Sequence, residues 1–129
     1  MKTGVPRPAA GRVTVTAIEV WKDRSVGIVE PLASLFAYDA QNLYVALRKA
    51  EKMTDVSAVL VTFEVAILVD IDALDVLFRE HLAYSARGGR IVLCCVSAPI
   101  RRGLELSGLA NRIQIYPGLD EALRELSPQ

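Results

Sequence analysis

The chain has 129 residues, with 15 basic and 15 acidic side chains and a formal net charge of zero. That length suits one domain, able to bury roughly two thirds of its unfolded surface without a metal or disulfide staple. Hydrophobic residues make up 52% and aromatics only 6%, which describes an aliphatic core, and there is no basic excess to track a nucleic-acid backbone.

Arg101, Arg102 and Arg112 read as a solvated helix face. The most apolar run, Val56 to Ile71, contains Thr62, Glu64 and Asp70 and falls short of the roughly 20 residues a bilayer helix needs. The first residues lack an apolar signal region. The expectation is a cytoplasmic protein with no nucleic-acid partner and no membrane insertion.

Residues 1–12 hold two prolines and two glycines without periodicity, and read as a loose tail before a domain at 13–126, with 127–129 as a second tail. Val13 to Val20 alternates apolar and polar residues, as a half-buried strand does. Ser25 to Val29 is a second strand, and the two should form a hairpin. Asp39 is placed to cap a helix reaching about Lys52, with Ala40, Leu43, Leu47 and Ala50 on one face. Val56 to Phe63 is β-branched and almost wholly apolar, like a parallel strand covered on both faces.

A second helix is expected from about Asp72 to Arg87, with Leu74, Leu77, Phe78, His81 and Leu82 as its inward stripe and Gly88-Gly89 as its stop. Arg90 to Val96 is another buried strand. Ser97 and Pro99 open a third helix that ends near Ser107-Gly108. Ile113 to Tyr116 is a short edge strand, and Leu119 to Leu126 a closing helix with Asp120 and Glu121 in its first turn. Strands alternating with helices imply a mainly parallel sheet with right-handed crossovers.

The sole histidine, His81, falls on the inward stripe and reads as a packing residue. Cys94 and Cys95 are adjacent. Neighbours in a strand point to opposite faces, so pairing would be strained, and they read as two small buried hydrophobes, with a redox or metal role as the alternative. No phosphate-loop, dinucleotide or zinc-helix motif is present, and no cofactor or metal is expected.

The segment Ile67-Leu-Val-Asp70-Ile-Asp72-Ala-Leu-Asp75-Val-Leu77 holds the strongest signal. An apolar run stops at Asp70, and an amphipathic helix starts there. Asp70 or Asp72 can cap that helix, but three aspartates exceed what capping needs. An apolar strand ending in Asp-x-Asp also resembles the first motif of the haloacid-dehalogenase phosphatases, in which the first Asp is the nucleophile and the second the general acid beside Mg²⁺. The remaining parts of such a site are missing. No lysine occurs after Lys52, and Ala73-Leu74 stands where a small residue and Thr should be.

The same segment, together with the chain downstream of it, resembles the STAS family of anti-sigma-factor antagonists and their relatives. The family pattern runs from an apolar strand into Asp-Ser-Ser/Thr-Gly-Leu-Gly-x-Leu. Asp70 matches the motif Asp, Ile71 the first Ser, Asp72 the second Ser/Thr, Ala73 the Gly, Leu74 the Leu, Asp75 the second Gly and Leu77 the closing Leu. Gly88-Gly-Arg-Ile-Val-Leu, Arg102-Gly-Leu-Glu-Leu-Ser-Gly108-Leu109 and Leu119-Asp-Glu-Ala-Leu continue the match. Glu30-Pro-Leu-Ala33 stands where members often carry Gly-Glu-Leu-Asp.

The resemblance implies an α/β fold, a mixed sheet of about five strands with four helices. It implies a regulatory binding module and no enzyme. Members bind an anti-sigma factor that is also a serine kinase, which then phosphorylates the motif Ser, adding about −2 charge at the interface. Here Ile71 has no hydroxyl to modify. The expected partner surface is Asp70, Ile71, Asp72, Ala73, Leu74 and Asp75 with Glu30 and Ala33. The expected partner is an anti-sigma factor or another regulatory protein, with a homodimer also allowed. The alternative is a STAS scaffold or transporter-associated subunit.

Overall fold

The computed structural model describes residues 11–128. Most of the segment assigned to an N-terminal tail, residues 1–10, lies outside the described residues, as does residue 129. Arg12 belongs to the fold: its guanidinium sits 2.6 Å from Glu19 and 4.7 Å above the Trp21 ring.

Six strands alternate with four helices: β1 Val13–Val15, β2 Ile18–Asp23, β3 Val26–Pro31, α1 Ala40–Met53, β4 Ala58–Thr62, α2 Ile71–Ala86, β5 Arg90–Cys94, α3 Ala98–Leu106, β6 Gln114–Tyr116 and α4 Leu119–Leu126. Short 3₁₀ turns at Ala37–Asp39 and Leu109–Asn111 precede α1 and β6. The strands lie side by side in chain order. β1, β2 and β3 pair antiparallel, and β3, β4, β5 and β6 pair parallel.

The sheet has six strands where five were expected, because the alternating segment Val13 to Val20 folds back on itself. Thr16 takes φ 55° and turns the chain so that Val15 pairs with Ile18. The next hairpin turns at Arg24 and Ser25, both at positive φ. That is the backbone of a type I′ turn, whose twist matches the flanking strands.

Strand alternation divides the core in two. Val20, Val29, Val59, Val61, Ile91 and Leu93 face α1, α2 and α3. Ile28, Leu60, Val92 and Cys94 face Ala122, Leu123 and Leu126 of α4. Both faces of β4 are therefore covered, which is why its sequence is continuously apolar. Gly27 lets α1 approach β3 closely, since a Cβ there would lie 2.4 Å from the Ala50 carbonyl oxygen.

The helix ends follow from local chemistry. Ser97 accepts a hydrogen bond from Ile100 N–H and caps α3, with Pro99 in the first turn. Gly88 takes φ 87° just past α2, while Gly89 N–H donates to the Tyr84 carbonyl. Asp39 holds the N-cap position of α1, but its carboxylate accepts from Phe36 N–H and closes the preceding 3₁₀ turn instead.

The expected inward stripe of α2 is corrected. Its buried residues are Ala73, Leu74, Val76, Leu77, Glu80 and Tyr84, while Leu82 is 50% exposed and His81 half-buried. The helix packs on α1 as well as on the sheet. Its buried face is turned to include Glu80, which ion pairs allow to be buried.

Candidate functional site

The carboxyl ends of β3, β4 and β5 lead into three loops that are tied together. Leu35, after β3, forms a parallel bridge with Val69. Leu35 N–H donates to the Leu68 carbonyl at 3.0 Å, and Asp70 N–H donates to the Leu35 carbonyl at 2.7 Å. Ser34 Oγ accepts from Leu68 N–H at 3.1 Å. From the β5 side, Ser97 Oγ donates to the Ile67 carbonyl at 2.8 Å. Phe63 and Ala66, both buried, anchor the β4–α2 loop from beneath.

With its backbone engaged in this way, the loop turns apolar side chains outward. Ile71, the first residue of α2, is 68% exposed, and Ile67 is 63% exposed. Val65 and Leu68 are exposed beside them, as are Leu32, Phe36 and Tyr38 on the neighbouring loop. Phe36 and Tyr38 stack with ring centroids 5.9 Å apart. Apolar side chains gathered in this way mark a binding surface more often than chance exposure does.

The acidic residues rim this platform. Asp70 sits at the N-cap of α2 but makes no side-chain capping bond, and its carbonyl accepts from Leu74 N–H at 3.0 Å. Asp72 lies exposed in the first turn. Asp75, also exposed, pairs with Arg79 one turn on at 3.1 Å. A groove of about 250 Å³ runs from Ile71 past Leu74, Asp75 and Phe78 to Ser107 and Leu109.

The motif residues therefore divide into two groups. Ile71, Asp72, Asp75 and Ala33 are exposed, and Asp70 is half-buried. Ala73, Leu74 and Glu30 are buried. Those three shape the platform from within and offer a partner little surface. Sequence reasoning missed Phe36, Tyr38, Val65, Ile67 and Leu68. The apolar run before Asp70 was the signal for the last three, since it is longer than strand β4 can use. Among the described residues, no three His, Cys, Asp or Glu side chains gather as metal ligands would.

A second ionisable cluster joins α1 to α2. Glu80, 5% exposed, lies 3.6 Å from both Arg48 and Arg87. Arg87 also donates a short hydrogen bond to Glu51 and lies over the Tyr84 ring. Burial, together with the adjoining Glu80 carboxylate, pushes Glu51 up from its ordinary 4.5 to about 7, against the pull of Arg87. Burial likewise raises the Tyr84 hydroxyl.

The STAS domain model matches residues 17–122. The chain belongs to the STAS family. No curated protein sequence matches it, but solved structures do. The anti-sigma factor antagonist SpoIIAA of Bacillus, in its unphosphorylated form, superposes with a TM-score of 0.70 at 17% identity, over 84% of this chain and 95% of that one. An anti-sigma-factor antagonist (STAS) domain protein from Planctomyces limnophilus gives 0.71 at 17% identity, over 84% and 97%. A sulfate transporter family protein from Wolinella succinogenes gives 0.66 at 19% identity, over 77% and 82%. At these identities the likeness is one of fold. The fold carries the Asp-x-Asp segment in a STAS arrangement, so the phosphatase reading loses its structural basis. Among the described residues, no helix is long and apolar enough to cross a membrane.

Proposed function

We propose that this chain is a regulatory binding module of the anti-sigma-factor-antagonist type that engages its partner without a phosphorylation switch at the start of α2. The observation that carries this reading is Ile71. It occupies the position of the family's phosphorylatable serine by motif, and its side chain stands 68% exposed beside Ile67 and Leu68. An isoleucine there cannot accept a phosphoryl group, and it adds apolar area to a docking surface. Desolvating such a side chain stabilises a complex by about 1.5–3 kcal/mol when it is fully covered. Asp72 and Asp75 supply a fixed acidic rim, which favours a partner with basic residues around an apolar centre.

The partner this supports is an anti-sigma factor of the serine-kinase type. The likeness to a sulfate transporter family protein supports a second reading, a STAS unit that docks on a transporter. Both use a protein partner and no cofactor, and both are consistent with a cytoplasmic module.

The test is affinity capture from the host lysate with wild type, Ile71→Asp and Asp72→Arg in parallel, read by mass spectrometry. All three should fold alike, because exposed substitutions of this kind change stability by only about 0.5 kcal/mol. Wild type is expected to retain a kinase-type anti-sigma factor that both variants lose. A transporter lost in the same way would support the second reading. A partner held equally by all three would remove the platform from the interface.

A further inference from the structure

The two cysteines are the only ones in the chain, and they do not point apart. Cys95 follows the last residue of β5 and takes φ 62°, a left-handed conformation that non-glycine residues seldom adopt. This rotation returns its side chain to the face occupied by Cys94. Cys94 is buried in the core beneath α4, and Cys95 packs half-buried against the same core. Their sulfurs lie 3.5 Å apart. The expectation that alternation separates them is therefore overturned, because the alternation ends at Cys94.

A third group completes the cluster. Thr62 is the β4 residue paired with Cys94 across the ladder. Its buried hydroxyl has no hydrogen-bond partner, and it lowers both thiols. A buried hydroxyl left without a partner is destabilising, and a thiolate acceptor would offset that. Backbone outliers held by their surroundings gather at functional positions.

We infer that Cys94 and Cys95 form a redox-active vicinal dithiol that hydrogen peroxide closes to an intramolecular disulfide. The hydrogen bond between the two sulfurs brings Cys95 down to about 7, against the raising effects of burial and Glu64, while Cys94 itself is raised. Cys95 thus holds the thiolate, which is the form that attacks. Its sulfur attacks one peroxide oxygen, the O–O bond breaks, and the departing hydroxide takes up a proton as water. Cys95 is left as a sulfenic acid. The Cys94 sulfur then attacks the Cys95 sulfur. The S–S bond forms, the S–O bond breaks, and the leaving hydroxide carries away the Cys94 proton as a second water. Two thiols are oxidised by two electrons, and one peroxide is reduced to two waters.

Adjacent Cα atoms across a trans peptide are about 3.8 Å apart, below the 4.4–6.8 Å usual for disulfides, so the bridge is strained and readily reduced. Such a bond suits a reversible site and does not suit a permanent staple.

The test uses the full chain, reduced, freed of thiol and treated with hydrogen peroxide, then denatured and labelled with N-ethylmaleimide. The expected product is a monomer two mass units lighter than the reduced chain. It takes no label, carries the change on tryptic peptide 91–101, and returns to two labels with dithiothreitol. Cys94→Ser should instead stop at a Cys95 sulfenic acid that dimedone traps. Cys95→Ser should leave Cys94 unreactive in the native protein. Retention of both labels, a covalent dimer on a non-reducing gel, or sulfinic acid formed without the two-unit loss would each overturn the proposal.

Discussion

Replacing Glu51 with Gln should make the protein more stable at alkaline pH and remove part of its pH dependence. Glu51 is raised from 4.5 to about 7, first by burial and then by Glu80. Between those values the folded chain holds a proton that the unfolded chain has released. The stabilisation is therefore full below about 4.5 and is lost as pH rises through 7. At about 1.4 kcal/mol for each pH unit, the interval bounds the effect near 3 kcal/mol. Glu51 is only half-buried, so solvent screening reduces this to about 1–2 kcal/mol. Glutamine stays neutral, donates to Glu80 as the protonated acid does, and keeps a carbonyl for Arg87. Urea unfolding at pH 5 and pH 8 gives the readout as the difference between variant and wild type, which cancels every other titrating group. The variant is expected to gain about 1–2 kcal/mol relative to wild type on going from pH 5 to pH 8, and to melt several degrees higher at pH 8. A difference that does not change with pH, or a variant less stable at pH 8, would refute the assignment of the proton to this cluster.

Gly27→Ala should cost about 1–3 kcal/mol in urea unfolding, because the new methyl meets a mid-helix backbone carbonyl that cannot turn aside; a cost under about 0.5 kcal/mol would contradict the close approach of α1 to β3. Ser97→Ala removes both the cap on α3 and the bond to the Ile67 carbonyl. It should cost about 1–2 kcal/mol and speed amide exchange in residues 63–70. Unchanged exchange there would mean that Ser97 does not hold the platform loop.

How far each feature could be read from the sequence depended on how local its cause is. Helix α4 was expected at Leu119 to Leu126 and is found there, since its acidic first turn and apolar spacing lie within the segment. Strands β4 and β5 were recognisable because burial on both faces leaves a continuous apolar run. The turn at Thr16 gave no glycine or asparagine signal, so β1 was joined to β2, whereas the hairpin that turns at Arg24-Ser25 was expected and is found. The face of α2 was misjudged because Glu80 counts as polar until Arg48 and Arg87, from α1 and the helix end, reach it. The platform shows the same limit. Asp70 to Asp75 stood out as a motif, whereas Phe36 and Tyr38 join it only because Leu35 pairs with Val69 across a long stretch of chain. The cysteine pair was misread for a different reason, because the backbone leaves its strand between the two residues.

The two outermost strands, β1 and β6, are three residues each. A rim that short exposes few unpaired backbone groups, and Arg12 lies against the Glu19 side chain near one of them. Among the described residues the sheet therefore offers a poor template for adding a strand from another chain, whether in ordered assembly or in aggregation. Under the proposed function, contact with a partner falls instead to side chains on loops, where a single substitution can change the specificity of recognition without disturbing the sheet beneath.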